Sequence, residues 1–293
     1  MTVAALLSEA AGRRDAGAYA DAHALALAAL REAAGDDART VEALLLLGRT
    51  SLDLGNHDAA AEALQQALAR TDVLDGDAAP TLRLFVLTDC AALERTLGRY
   101  DEAERRYCHA LALAQPDTLD EAVLCNDLAV TLKFAGKLDE AERLYRRALT
   151  IIERELGPEH PDLATLIHNL GGLAHARGDY AAAEPPARRS LELRRRALGD
   201  EHPAVAADAA ALAAVLGALG RDEEAEALLR GAIDVFERTL GPDHYEVAFN
   251  LGQLAALRFR RGGLDEAEDL YRRALARLEP AVGSRPPPTS RRR

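Results

Sequence analysis

The chain has 293 residues, 48% of them hydrophobic, contains no tryptophan and carries a formal net charge of −12. Such a charge repels phosphate and anionic lipid surfaces on average, which argues against nucleic-acid and membrane partners, and the longest apolar stretch, 209–220, is too short to span a bilayer. Ala, Leu, Arg and Glu dominate while β-branched and aromatic residues are scarce, a composition for helix and not for strand.

The first residues, MTVAALLSEAAGRR, have no cation ahead of their short apolar run and do not read as a secretory signal. Three cysteines, Cys90, Cys108 and Cys125, show no metal or redox spacing. They are expected to be buried thiols in a reducing cytoplasm.

In chain order the sequence then reads as a succession of helical hairpins. A glycine recurs at Gly17, Gly55, Gly98, Gly136, Gly178, Gly220 and Gly262, the last four 42 residues apart. Five residues after each stands an alanine, from Ala22 to Ala267, and twelve after each stands Ala or, once, Ser190. Seven before each stands Ala or Gly, as at Gly48 and Gly171. Glycine ends a helix in a conformation side chains resist, and small residues let two antiparallel helices touch closely. Each repeat is therefore predicted to be one hairpin, and hairpins unable to bury both faces alone must stack.

Between the second and third hairpins the acidic segment 71–80 reads as irregular loop. Around Gly136 the apolar spacing is helical on both arms, with Leu124, Leu128 and Leu132 before it and Leu144, Tyr145 and Ile152 after it. Later hairpins are joined by Leu156-Gly-Pro-Glu-His-Pro161, Leu198-Gly-Asp-Glu-His-Pro203 and Leu240-Gly-Pro-Asp-His-Tyr245. Their His160, His202 and His244 sit at helix starts, one repeat apart, which predicts local hydrogen bonding instead of a shared metal ion. His168 and His175 lie two turns apart on one helix, with no nearby Cys or carboxylate pattern to complete a site.

Pro185 and Pro186 fall inside the predicted second helix of the fifth hairpin, and should kink it or delay its start by about a turn. The same hairpin carries Arg188, Arg189, Arg194, Arg195 and Arg196, read as a solvated face with RNA or an acidic domain as the alternative. In the sixth hairpin Ala207, Ala210, Ala211, Ala214, Gly217 and Ala218 form a smooth strip suited to a bulky side chain or another helix. The last hairpin has no polar capping helix, so Leu270, Tyr271 and Leu278 are expected to leave apolar surface for end-on self-association or a partner. The chain thus divides into a solenoid over 1–280 and a disordered basic Pro/Arg tail over 281–293.

These columns, with Gly-Arg-Tyr-Asp-Glu-Ala at 98–103 and Glu-Arg-Leu-Tyr-Arg-Arg-Ala-Leu at 142–149, resemble the tetratricopeptide repeat, although their period exceeds the usual ~34 residues. The linkers are similar to those of the kinesin light chain subfamily. The resemblance implies an all-α, right-handed superhelix of seven hairpins that serves as a protein-binding scaffold or adaptor. It further implies a concave groove, lined by the first helix of each hairpin, that takes an extended or helical segment of a partner.

Helical phase puts Arg49, Phe85, Arg95, Asn126, Lys133, His168, Asn169, His175, Phe249 and Phe259 on that face. Asn126-Asp-Leu-Ala and His168-Asn-Leu-Gly resemble the family's Asn-Asn-Leu-Ala segment, whose amides bond a ligand backbone. Arg49, Arg95 and Lys133 predict a groove more basic than the whole chain, suited to an acidic partner segment. No phosphate-cradling, His-Glu-x-x-His or Gly-x-Ser-x-Gly motif is present, so no catalytic residue, metal or cofactor is expected. A regulatory subunit of a separately encoded effector, an RNA-binding solenoid and an enzyme remain the alternatives.

Overall fold

The computed structural model describes residues 1–283, and the regular structure among them is helix throughout. Fourteen helices follow one another as seven hairpins. The first four are α1 (Val3–Asp15) with α2 (Tyr19–Glu32), α3 (Asp37–Asp53) with α4 (His57–Thr71), α5 (Ala79–Thr96) with α6 (Tyr100–Leu113), and α7 (Leu119–Phe134) with α8 (Leu138–Leu156). The last three are α9 (Leu163–Ala176) with α10 (Tyr180–Leu198), α11 (Pro203–Ala218) with α12 (Asp222–Leu240), and α13 (Tyr245–Arg260) with α14 (Leu264–Gly283). The acidic segment between the second and third hairpins is loop from Asp72 to Ala78, as expected.

The turn explains the glycine column. Gly136 has φ +79°, a left-handed conformation that closes α7, and the next residue, Lys137, donates its N–H back to the Leu132 carbonyl at 2.8 Å. The same bond recurs from Asn56 to Ser51 (2.8 Å) and from Arg221 to Leu216 (2.9 Å). The alanine columns are at the helix contacts: Ala60, Ala103, Ala141 and Ala225 are all wholly buried. Close approach through small residues replaces bulky interdigitation, with Tyr107, Tyr145 and Phe236 as the largest fully buried side chains.

The chain forms two compact units, Met1–Ile151 and Ile152–Arg293. In the first, successive first helices α1, α3, α5 and α7 lie against one another, and an apolar cluster around Leu44, Leu64, Val86 and Leu93 fills the space between hairpins. In the second, α9, α11 and α13 do the same over a core that includes Leu212, Leu216, Phe236 and Leu254. The linker histidines act locally: His160, His202 and His244 each accept an N–H bond two residues on, at 3.3, 3.1 and 3.2 Å, which caps or leads into α9, α11 and α13.

The expected late start at the prolines fails. The second helix of the fifth hairpin does not start late: α10 runs uninterrupted from Tyr180 to Leu198, with the Asp179 carboxylate accepting the Ala182 N–H at 3.0 Å. That cap fixes the start ahead of the prolines, and proline's own φ is helical, so only the donors to the Ala181 and Ala182 carbonyls are lost. Gly171 of α9 faces the rings, and a Cβ there would stand 3.5 Å from Pro186 Cγ and 3.4 Å from the Ala187 nitrogen, ordinary contact distances. At the chain's far end Leu270 is buried, contrary to expectation, while Tyr271 and Leu275 are 41% and 60% exposed. The expected tail lies outside the described residues from 284 onward.

Candidate binding surface on the first helices

Every sequence-predicted site residue lies on a first helix. In the first unit α3 carries Arg49, α5 carries Phe85 and Arg95, and α7 carries Asn126 and Lys133; in the second, α9 carries His168, Asn169 and His175, and α13 carries Phe249 and Phe259. Their surroundings differ sharply.

Arg49 donates through Nε to Asp89 Oδ2 at 2.5 Å, bridging α3 to α5, as Arg14 bridges α1 to Asp53 of α3 at the same distance. Arg95 stands within electrostatic reach of Asp127 on α7 and of the Tyr107 and Tyr145 hydroxyls. Its Nε and both hydroxyl oxygens are buried without a hydrogen-bond partner. Burial pushes the Tyr107 phenol up to about 12, Asp127 adding to the shift and Arg95 opposing it. The carboxyls of Asp89 and Asp127 are likewise raised, chiefly by burial, against the pull of Arg49 and Arg95 respectively.

The predicted basic groove is therefore corrected: the residue nine before the turn glycine is aspartate in repeats three and four, and these acids offset two of the three cations. Lys133 is the exception. It is half-buried, has no ion-pair partner among the described residues, and desolvation holds its ammonium below the usual lysine range. Beside it Phe134, 61% exposed, stacks on Tyr100 with ring centroids 6.0 Å apart. Asn126 donates to Asp127 Oδ1 at 3.2 Å, so its amide is engaged within the helix.

In the second unit His168 Nδ1 meets Asp208 Oδ1 at 2.7 Å, and Arg194 Nε meets Oδ2 of the same carboxylate at 2.7 Å. Asp208 is 2% exposed, so this buried acid ties α9, α10 and α11 together. The expectation of no carboxylate near His168 was wrong because the partner comes from the next repeat. His175 is exposed and packs edge-on to Tyr180 at 5.2 Å. The alanine strip forms a real concavity of about 210 Å³, lined by Ala210, Ala214 and Gly217 with His175, Gln253 and Arg260 around it. Phe249 stacks on the 61% exposed Tyr245, centroids 5.9 Å apart.

The phenylalanines separate by role. Phe85, Phe134, Phe249 and Phe259 are 36%, 61%, 48% and 61% exposed, all on first helices, while the fifth phenylalanine, Phe236, is 1% exposed in the core. Asp208 escaped the sequence reading although a signal was there: the position twelve before the turn glycine is Leu124 and Leu166 in two repeats, then Asp208 and Asn250. Asn250, 1% exposed, turns its amide onto the Glu246 carbonyl at 2.8 Å.

The arginine cluster of α10 is matched acid for base. Arg188 pairs with Glu184 and Glu224, Arg189 with Glu153, Arg194 with Asp208, Arg195 with Asp200, and Arg196 with Glu159 and Glu192. Cys90 and Cys125 are buried as expected, with thiols pushed up to about 11 by desolvation, but Cys108 is exposed because it falls on the outer face of α6. Among the described residues no group of three or more His, Cys, Asp or Glu could hold a metal ion, and no helix is long and apolar enough to cross a membrane.

A family model described as Tetratricopeptide repeat matches residues 120–196 and 206–279, and a second of the same description matches 41–71. Among solved structures, BtubC (BKLC) from P. vanneervenii is 25% identical, with a TM-score of 0.63 over 82% of this chain and 93% of its own. A putative kinesin light chain from Podosopora anserina with nearly identical TPR-like repeats is 23% identical, with a TM-score of 0.57 over 71% of this chain and 99% of its own. A Rap protein complexed with Competence and Sporulation Factor is 18% identical, with a TM-score of 0.71 over 94% of this chain and 77% of its own. The last two likenesses are of fold alone. No curated protein matches the chain.

Proposed function

We propose that this chain, which belongs to the tetratricopeptide-repeat family, holds segments of partner protein on the first-helix face of each of its units. The repeat fold is in general a scaffold for protein interaction, and nothing in its packing requires what these first helices display. One observation carries the reading: four of the five phenylalanines are exposed, each on a first helix. Fully burying a phenylalanine is worth roughly 1.5–3 kcal/mol, and these four are only 36–61% exposed, so a part of that gain is open to a partner surface that covers them. Lys133, half-buried and unmatched by an acid, supports a carboxylate-bearing residue in the segment that docks beside Phe134.

Selection of a displayed random-peptide library against the full chain tests this. Enriched peptides should bind the wild type and lose about tenfold or more in affinity on Phe134→Ala or Phe259→Ala, with smaller losses on Lys133→Gln, Asn126→Ala and Asn169→Ala. An Arg146→Ala control, exposed on α8 and paired only with Glu142, should bind normally. Peptides indifferent to every first-helix substitution would sink the proposal.

A further inference from the structure

A second cleft, of about 280 Å³, opens in the first unit between α4, α5 and α6, and none of the first-helix candidates lines it. Leu68 of α4 and Leu87 of α5 supply its apolar part. Along α6, Glu102, Arg105, Arg106 and His109 recur at intervals of three and four residues and so share one face. Arg83 of α5 and Asp72, just beyond α4, complete the wall.

The charges do not balance. Three guanidiniums face two carboxylates, an excess of positive charge in a chain whose formal net charge is −12. Arg83 is bound to Asp72, and Arg105 reaches Glu102 at 2.9 Å. The second pair is solvent-exposed, 68% and 47%, and water screens such pairs strongly, so Arg105 can turn to a better acceptor at little cost. Arg106 differs from both: it is half-buried and has no ion-pair partner among the described residues. Among the described residues no acceptor binds its guanidinium, whose N–H donors remain open to a ligand.

From this geometry we infer that the cleft between α4, α5 and α6 is an anion site for a phosphoryl group, anchored by Arg106 and completed by Arg105 and His109. A phosphoryl dianion offers three acceptor oxygens, enough for two guanidinium forks and an imidazole N–H, whereas a carboxylate satisfies one fork. Leu68 and Leu87 then meet the carbon atoms that carry the ester. The group can belong to a phosphorylated side chain of a partner or to free phosphate.

Calorimetric titration of the full chain separates these sources, using inorganic phosphate, a short capped peptide containing phosphoserine, and the same peptide unphosphorylated, at matched ionic strength. Phosphate and the phosphopeptide should bind saturably and the unphosphorylated peptide should not. Arg106→Gln should weaken binding about tenfold or more, Arg106→Lys less, and Arg146→Gln not at all. A phosphopeptide tighter than phosphate assigns the site to a modified partner, and equal affinities assign it to the free ion; both support the site. If Arg106→Gln fails to fold by circular dichroism, the exposed Arg105→Gln and His109→Ala variants serve, each with an expected loss of about threefold. Absence of saturable binding by either phosphorylated probe, or binding unchanged in the Arg106 and Arg105 variants, overturns the inference.

Discussion

In the first unit the acids of repeats three and four, Asp89 and Asp127, stand on the first-helix face, where Arg49 and Arg95 answer them. In the second unit the equivalent positions are Asn169, Ala211 and Gln253, and the acid has moved beneath the surface to Asp208, where His168 and Arg194 hold it. The small-residue packing columns are the same in both units. A repeat can therefore change where it keeps its charge without changing how its helices meet, and the two locations should respond differently to substitution.

The largest effect is expected at Asp208. Asp208→Leu removes the acid and strands Arg194, which is only 19% exposed, and should cost about 3–5 kcal/mol in urea unfolding. Adding Arg194→Met should recover most of that, because leucine is what repeats four and five carry at this position. A double variant as unstable as the single one would show that the buried network is not a replaceable element. The next effect concerns the prolines, for which the fourth repeat has Arg143 and Leu144. Converting both Pro185 and Pro186 to alanine restores two amide donors inside α10 and should stabilise the chain by about 2 kcal/mol or more in the same unfolding measurement.

A smaller contrast sets Gly48 against Gly171, which occupy the same column in different units. A Cβ on Gly48 would stand 2.7 Å from Leu64 Cγ, whereas on Gly171 it meets only ordinary contacts of 3.4 Å and beyond. Gly48→Ala should therefore destabilise by about 1–3 kcal/mol, and Gly171→Ala should be neutral or gain up to ~1 kcal/mol from helix propensity. The smallest expected effect is at Asp127. Burial raises its carboxyl, so the folded chain holds that proton more tightly than the unfolded one. The stability it contributes is complete below the ordinary carboxylate range and is lost as pH rises through the folded value. Asp127→Asn should thus be slightly the more stable form at neutral pH, by under ~1 kcal/mol, with the advantage disappearing on acidification.

The architecture was legible because its determinants are local and repeated. One glycine closes each turn, and one alanine sits at each helix contact, so seven aligned copies reveal both. Charge pairing was not legible to the same degree, since His168 and Asp208 are 40 residues apart and only stacking brings them together. Helical phase assigned Arg49 and Arg95 to one face but could not reveal that the next first helix supplies Asp89 and Asp127. The prolines misled for a related reason: their local cost is real, but the cap at Asp179 was weighed nowhere in the pattern.

The linkers of the second unit carry a consequence for how such a chain can change over generations. His202 and His244 start α11 and α13 by the same bond, and Arg196 and Arg238 reach back to Glu159 and Glu201, each across 37 residues. Contacts that recur at one fixed offset make each block an interchangeable cassette. Duplication or excision of 42 residues would leave these linker bonds the same, so length is open to variation while each new copy is free to acquire its own exposed face.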